Sequence, residues 1–370
     1  MASLREMFLL RAAPGQFAGI AAGDWFTLLR ENRFSIDPPY WLRATLVTLA
    51  SLGNSALRHC ENACYGARVR NTEVHAPVFI LGHWRSGTTH LQNLLSLDRR
   101  FASPNLFQVC FPHSFLCTES VASRLLGLLV PKRRLGDDMD QHLGMPFEDE
   151  FAISAATLRS PYLSMSFPRR SEHYDRYMTL CSVPQREIDE WKAGLKFFVQ
   201  KLAWKYGRPL VLKSPTHTCR IRLLLELFPD ARFVHLHRNP YAVFLSTRGR
   251  RIIGSEYFRL QRWSESEDEM LIQRYAEMYD RFFAERQLIP AGRYCEAAYE
   301  DLQKDPIGQL RDIYGKLDLP PFEQVEATVQ RYIASLAGFK KNEYSEMSAA
   351  LKSRIATAWR RSFDEWGYST

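Results

Sequence analysis

The chain has few of the features that mark secreted, metal-binding or membrane-spanning proteins. Its 370 residues include seven cysteines, an odd number with no Cys-x-x-Cys pair, which is atypical of a disulfide framework or a zinc site. Cys60 and Cys64 lie four residues apart and are interpreted as packed or free thiols. Arg11 and Pro14 interrupt the apolar N-terminal segment, so no signal peptide is predicted. We expect a reducing, cytoplasmic location and no metal site.

Long apolar runs, internal repeats and low-complexity linkers are also missing. The apolar stretch from Trp41 to Leu57 contains Arg43 and is shorter than the roughly 18 uninterrupted apolar residues of a membrane span. It predicts a helix that either docks on the core or lies in a membrane interface, and both interpretations stay open. The segment SRLLGLLVPKRRL, residues 123–135, places basic beside apolar residues and keeps membrane association open.

Charge and composition are those of a basic globular protein. The chain has 49 lysines and arginines against 41 acidic residues, a net charge of +8. This charge suits an anionic ligand, nucleic acid or an anionic membrane, and does not choose among them. Strand-like runs alternate with helical ones over residues 76–370, which predicts a three-layer α/β domain with a mainly parallel sheet. Residues 1–75 are predicted to form an N-terminal helical extension.

A phosphate-binding loop is the clearest chemical signal. Residues 77–95, PVFILGHWRSGTTHLQNLL, join an apolar strand-like run to a loop and a helical pattern. Gly82 and Gly87 have the spacing of G-x-x-x-x-G-K-[ST], in which backbone N–H groups and a helix N-terminus surround a phosphate. Thr88 stands where that loop has Lys, and Thr89 follows. The loop is therefore poorly equipped for ATP, but it can hold a single 5′-phosphate.

This segment resembles the sulfotransferases that use 3′-phosphoadenosine 5′-phosphosulfate (PAPS), in which a basic residue followed by SGTT binds the 5′-phosphosulfate. Arg85 fills the basic position, as in the tyrosylprotein sulfotransferases and many bacterial members. The resemblance implies a P-loop-like fold and nucleotide contacts from Ser86, Gly87, Thr88 and Thr89.

A second match to the same family is RFVHLHRNPYAVFLST, residues 232–247. The resemblance implies that Arg238 and Ser246, eight residues apart, bind the 3′-phosphate of the nucleotide. The residue types suit this role, because Arg offers a bidentate fork and Ser a hydroxyl donor. Either residue alone would be interpreted as a surface residue, but the two motifs in this order favour a nucleotide site.

A third match is PLVLKSPTH, residues 209–217, and the resemblance assigns Lys213 to the reaction centre. A lysine that ends a buried strand otherwise extends to solvent. The carboxyl ends of parallel strands face the ligand crevice, and Gly82, Lys213 and Arg238 all follow strand-like runs. A weaker match implies that Tyr299 contacts the nucleotide, and its alternative role is core packing. Another weaker match implies that Lys340 and Lys341 contact the nucleotide, and their alternative is a solvated charge pair.

The acceptor base has three candidates. A hydroxyl acceptor must lose its proton as it attacks sulfur, and family members use Glu or His for this step. Residues 145–158, MPFEDEFAISAATL, predict an amphipathic helix with Glu148 and Glu150 at its start, where acidic residues also suit the helix dipole. Residues two apart do not share a helix face, so at most one is expected in the site. We rank Glu148 first, then Glu150, then His142.

The resemblance thus predicts a sulfotransferase that moves a sulfuryl group from PAPS to a hydroxyl on a lipid, sugar or other small molecule. In this mechanism Arg85 and Lys213 balance the charge that develops during in-line displacement, and no metal is required. Nucleic acid is not expected as a partner, whereas peripheral membrane contact stays open. Two alternatives remain: a P-loop-like nucleotide kinase, which needs the missing Lys, and a non-catalytic nucleotide- or membrane-binding protein.

Overall fold

The structure is a computed structural model that describes residues 11–127, 142–262, 268–336 and 347–370, with backbone alone for residues 250–255. Backbone contacts divide the chain into two compact units, each assembled from separate segments. The first unit has the bounds Met1–Glu73, Pro104–Gly207 and Arg251–Glu265, and the second Val74–Ser103, Arg208–Arg250 and Ser266–Thr370. The division into residues 1–75 and 76–370 stays a prediction.

The described helices and strands follow one another along the chain as α1 (Ala22–Glu31), α2 (Trp41–Arg70), β1 (Val78–Leu81), α3 (Thr88–Leu95), α4 (Leu106–Cys110), α5 (Phe115–Gly127), α6 (Glu150–Thr157), α7 (Leu163–Ser166), α8 (Ser171–Asp175), α9 (Gln185–Tyr206), β2 (Val211–Lys213), α10 (Ile221–Leu227), β3 (Arg232–His237), α11 (Pro240–Gly254), α12 (Asp268–Glu285), β4 (Tyr294–Ala298), α13 (Tyr299–Lys304), α14 (Pro306–Lys316), α15 (Glu323–Ser335), α16 (Ala349–Ala358) and α17 (Arg360–Trp366).

The second unit is built on a parallel sheet with the strand order β2-β1-β3-β4. From β1 the chain passes to β2 on one side and later to β3 on the other, so the sheet has a topological switch point at β1. Open α/β sheets bind ligands outside the carboxyl ends of their strands at such a point. Ile80 pairs with Lys213 and His237 with Ala298, which brings the turns after all four strands to one edge.

Helices cover both faces of this sheet, which confirms the predicted three-layer α/β fold. On one face, Ile80 and Val234 pack in a cluster with Leu91 of α3 and residues of α14 and α15. On the other face, Phe79 stacks on Phe233 with ring centroids 5.7 Å apart, and the His235 ring stacks on Phe282 of α12 at 4.2 Å. Because both faces are buried, all four residues of β1 are apolar.

The first unit, in its described part, is helical and contains α2, the helix predicted from the apolar stretch. Val47 is buried, whereas Trp41 and several leucines are exposed, so the helix docks on the core along one face only. Arg43 is also buried, and its guanidinium donates to the backbone carbonyls of Glu256 (2.9 Å) and Arg259. Within the described ranges, no helix is both long and apolar enough to cross a membrane. Residues 128–135 of the other apolar and basic segment lie outside the described residues.

Candidate active site

The loop between β1 and α3 needs glycine at two positions. Gly82 has φ +141° and Gly87 has φ +95°. A Cβ on Gly82 would lie 2.5 Å from the backbone oxygen of Leu236, and one on Gly87 would lie 2.2 Å from Cδ2 of Tyr299. A side chain at either position would therefore collide with the end of β3 or with the residue after β4. The glycines therefore allow the turn between β1 and α3, and anion binding by this loop stays a prediction.

Hydrogen bonds to neighbouring turns hold the loop in shape. The buried Ser86 hydroxyl donates to the carbonyl oxygen of His83 (2.8 Å), and the Gly82 N–H donates to Oγ1 of Thr218 (2.7 Å). Ser86 thus supports the loop from within, and its role as a nucleotide contact stays a prediction. Thr218 was not identified from the sequence as a support of this loop. Its position shortly after Lys213 is the one feature of the sequence that could have indicated it.

The N-terminus of α3 and Lys213 form the first cationic part of the site. Helix α3 begins at Thr88, directly after Gly87, and the first N–H groups of a helix have no acceptor within it. These groups and the helix dipole favour an anion here. The Lys213 side chain, only 2% exposed, donates from Nζ to Oγ1 of Thr89 (3.3 Å). Lys213 therefore stays at the end of β2 and does not extend to solvent.

Two arginines form the second cationic part. Arg85, at φ +72°, donates from Nε to Oγ of the buried Ser246 (2.8 Å). Arg238 donates to the carbonyl oxygen of Arg85 (2.9 Å), and its guanidinium lies over the Tyr299 ring, 4.4 Å from the centroid. The hydrogen bond from Arg238 stabilises the left-handed backbone of Arg85, a conformation that costs about 1–3 kcal/mol. Four residues predicted from three separate motifs are brought together, in an arrangement that suits a phosphate or sulfuryl anion.

A neutral histidine lies within the same loop. Burial lowers the pKa of His83 to about 4, so the imidazole is uncharged at neutral pH. Its Nδ1 lies 2.9 Å from the carbonyl oxygen of Trp84, and the ring packs on Tyr275 with centroids 4.9 Å apart. The neutral tautomer with hydrogen on Nδ1 donates to that carbonyl. His83 therefore contributes packing and a hydrogen bond, but no positive charge.

The C-terminal segment ties together the turns after β3 and β4. The Tyr368 hydroxyl donates to Oε2 of Glu300 (2.8 Å) and lies 2.9 Å from Nδ1 of His237. Oε1 of Glu300 accepts from the Asn239 N–H (3.1 Å), and the Trp366 ring stacks on His237 with centroids 5.0 Å apart. This network surrounds the turns that carry Arg238 and Tyr299. Tyr368 was missed from the sequence, because no motif distinguishes it from other C-terminal aromatic residues.

The three base candidates belong to the first unit. Glu148 is half-buried and accepts a hydrogen bond from the Tyr162 hydroxyl. Glu150 is fully buried and accepts from Oγ of Ser160 (2.7 Å), whereas His142 is exposed. The two glutamates have different partners, and the expectation that at most one of them enters the site stays a prediction. Helix α6 begins at Glu150 but is buried along most of its length, so the predicted amphipathic pattern is wrong, because small residues let it pack on several sides.

Some predicted features lie beyond the described part of the chain. Lys340 and Lys341 fall outside the described residues, and their contact with the nucleotide stays a prediction. In the described ranges, no group of three or more His, Cys, Asp or Glu side chains is placed to hold a metal ion.

Known proteins match this chain over most of its length. The model of the Sulfotransferase family matches residues 77–324. The omega-hydroxy-beta-dihydromenaquinone-9 sulfotransferase Stf3 of Mycobacterium bovis is 37% identical over 362 residues, which cover 96% of this chain and 92% of the relative. The solved structure of sulfotransferase STF9 from Mycobacterium avium has a TM-score of 0.67 at 20% identity. This match covers 99% of the present chain and 97% of the STF9 chain.

A second solved structure, sulfotransferase STF1 from Mycobacterium tuberculosis, has a TM-score of 0.61 at 17% identity and covers 96% of this chain and 99% of its own. At such identities the two structures establish the fold, whereas the family follows from the family model and the 37% identical relative. These matches decide against the nucleotide kinase and the non-catalytic binding protein. The chain belongs to the sulfotransferase family and is an enzyme that transfers a sulfuryl group.

Proposed function

We propose that the protein transfers the sulfuryl group of PAPS to a hydroxyl group on an isoprenoid quinone-type lipid. The observation that carries the donor assignment is the meeting of Lys213 with Thr89, and of Arg85 with Ser246 and Arg238, at the carboxyl edge of one sheet. The acceptor class rests on the 37% identical relative, which is named for a hydroxylated dihydromenaquinone.

The site suits a nucleotide that carries two separate anionic groups. The N-terminus of α3 and Thr89 suit the 5′-phosphosulfate, and Arg238 with Ser246 suits the 3′-phosphate. The loop has Thr88 in place of the lysine that handles the β- and γ-phosphates of ATP. When bound, PAPS supplies an activated sulfuryl group on a good leaving group, adenosine 3′,5′-bisphosphate.

Lys213 and Arg85 are assigned to the stabilisation of charge during transfer. The Lys213 ammonium is buried beside the first turn of α3, where it can neutralise charge on the leaving phosphate oxygen. Arg85 can donate to the sulfuryl oxygens from its place in the loop. Charges that are held in position in a water-poor site cost little reorganisation during the reaction, so they stabilise a developing anion strongly.

The acceptor hydroxyl must also lose a proton, and we assign this step to Glu148. Its carboxylate is half-buried and accepts from Tyr162, so it has a fixed orientation and an accessible surface. Glu150 is enclosed and engaged by Ser160, and His142 is exposed. A positioned base of this kind contributes about 10²–10⁴-fold to the rate.

The test is an acceptor screen with PAPS, followed by mass spectrometry of the products. We expect a sulfate ester on the ω-hydroxyl of an isoprenoid quinone, formed with one adenosine 3′,5′-bisphosphate per turnover. Sulfation of sugars or tyrosine peptides alone would overturn the acceptor class, and no sulfation of any hydroxyl would overturn the donor assignment. Glu148→Gln should lower turnover about 10²-fold or more, while the exposed Glu172→Gln serves as the matched control. Normal turnover in Glu148→Gln with collapse in Glu150→Gln or His142→Ala would transfer the role of base.

A further inference from the structure

The first unit exposes a strip of α2 that carries no charge. The only charged side chain from residue 41 to residue 57 is Arg43, and it is buried. Three members of the strip are large and strongly exposed: Trp41 at 60%, Leu49 at 63% and Leu52 at 59%. The exposed residues, which we call the α2 apolar face, are Trp41, Leu42, Thr45, Leu46, Leu49, Ala50, Leu52, Gly53, Ala56 and Leu57.

Helix α1 packs against α2 and adds aromatic and basic side chains. The Trp25 indole of α1 donates to Oγ1 of Thr48 on α2 (2.8 Å). Phe26, 46% exposed, and the exposed Arg30 lie one turn apart on α1 and therefore share a face. Neither Arg30 nor Arg33, which is exposed just after the helix, forms an ion pair with any residue that the structure describes.

The turn after α1 has an unfavourable backbone conformation and exposes a second aromatic side chain, Phe34. Arg33 has φ +55° and Phe34 has φ +53°, values that L-residues with large side chains rarely adopt. The Phe34 N–H donates to the carbonyl oxygen of Leu29 (2.8 Å), and the side chain is 61% exposed. The chain thus maintains a costly turn that presents Arg33 and Phe34 to solvent.

We propose that the α2 apolar face, together with Phe26, Arg30, Arg33 and Phe34, binds the surface of an anionic phospholipid bilayer. Leucine and aromatic side chains of an interfacial helix enter the boundary of the acyl chains, and arginines contact anionic headgroups. A second copy of this chain is a poorer occupant, because the proposed surface carries arginines but no carboxylate that could pair with them in a symmetric contact. The inference rests on the proposed function in one respect, since a lipid acceptor gives the contact its purpose.

The test is flotation of the full-length protein with phosphatidylcholine vesicles and with vesicles that also contain phosphatidylglycerol. Leu49→Ser with Leu52→Ser should lower vesicle binding by roughly tenfold or more. The matched control, Leu288→Ser, removes a leucine that is 39% exposed in the second unit and should leave binding unchanged. Thermal melting and the affinity for adenosine 3′,5′-bisphosphate should be the same in all three proteins.

The charge part of the proposal has its own variant. Arg30→Gln with Arg33→Gln should lower binding to the anionic vesicles and remove its salt dependence, while binding to phosphatidylcholine stays unchanged. Arg68→Gln, an exposed arginine farther along α2, is the control. Binding that is the same in the leucine variant and the unmodified protein would overturn the proposal. The proposal would also be overturned if the unmodified protein did not bind vesicles but formed a dimer, and the leucine variant lost that dimer.

Sulfation assays separate this inference from the proposed function. The leucine variant should keep its turnover on a short, soluble hydroxylated isoprenoid and lose turnover on a long-chain acceptor embedded in vesicles. Vesicle binding by a protein that sulfates no lipid hydroxyl would refute the proposed acceptor while supporting the membrane face. Sulfation of the embedded acceptor without vesicle binding would refute the membrane face alone.

Discussion

Gly87→Ala tests the packing of the phosphate loop against the residue after β4. The new Cβ would lie 2.2 Å from Cδ2 and 2.6 Å from Cε2 of Tyr299, whereas ordinary contacts begin near 3.4 Å. The ring must therefore move, and overpacking of this kind costs about 1–3 kcal/mol. Alanine at φ +95° adds about 1–2 kcal/mol of backbone strain. The free energy of unfolding should fall by about 2–5 kcal/mol.

The displaced ring should also weaken nucleotide binding, because Tyr299 lies beneath the Arg238 guanidinium. Loss of that cation–π contact should cost about 0.5–2 kcal/mol of affinity for adenosine 3′,5′-bisphosphate, measured by calorimetric titration. In a Tyr299→Ala background the collision is absent, so Gly87→Ala should cost only its backbone strain. The double-mutant cycle should therefore give a coupling energy of about 1–3 kcal/mol.

Gly207→Ala is the matched control, since Gly207 ends α9 at φ +59° and a Cβ added there would meet nothing within 4 Å. It should lower the free energy of unfolding by about 1 kcal/mol and leave nucleotide affinity unchanged. An equal cost of Gly87→Ala with and without the Tyr299 ring would refute the packing of the loop against that ring.

In calorimetric titrations, Arg238→Ala should weaken the binding of adenosine 3′,5′-bisphosphate by about 1.5–3 kcal/mol and the binding of AMP much less. Equal losses for the two nucleotides would contradict a contact with the 3′-phosphate. Lys213→Ala should lower single-turnover rates far more than nucleotide affinity, and the reverse pattern would make it a binding residue. Burial lowers the pKa of His83 from 6.5 to about 4, so the unfolded chain takes up a proton at a higher pH than the folded protein. The free energy of unfolding should therefore fall by up to about 3 kcal/mol as the pH drops from 6.5 to 4. Denaturation of His83→Asn across this range should show a smaller pH dependence if the assignment holds.

The parts of the site that could be predicted from the sequence are those that local geometry determines. Gly82 and Gly87 mark a turn that other residues cannot form, and the apolar runs before Lys213 and Arg238 mark strand ends. In a parallel sheet strand ends meet at one edge, so the spacing of the motifs was sufficient to predict that these residues lie together. The resemblance to a known family then supplied the chemistry.

Other features depend on contacts between distant segments and have no local pattern. Tyr368 contacts His237 across 131 positions of sequence, and Thr218 contacts Gly82 across 136. The apolar stretch of α2 predicted a helix, but its composition does not determine how much of that helix the rest of the chain covers. The amphipathic pattern predicted for α6 failed for the same reason, because neighbouring elements enclose it on most sides.

The most direct test of the account is a titration of the unmodified protein with adenosine 3′,5′-bisphosphate, AMP and ATP. The 3′,5′-bisphosphate should bind at least about tenfold more tightly than AMP, because we assign Arg238 and Ser246 to a charge-assisted contact with the 3′-phosphate. ATP should bind weakly, because Thr88 replaces the lysine of the nucleoside triphosphate loop. Equal affinity for AMP and the 3′,5′-bisphosphate, or preference for ATP, would contradict the assignment of this edge of the sheet to PAPS.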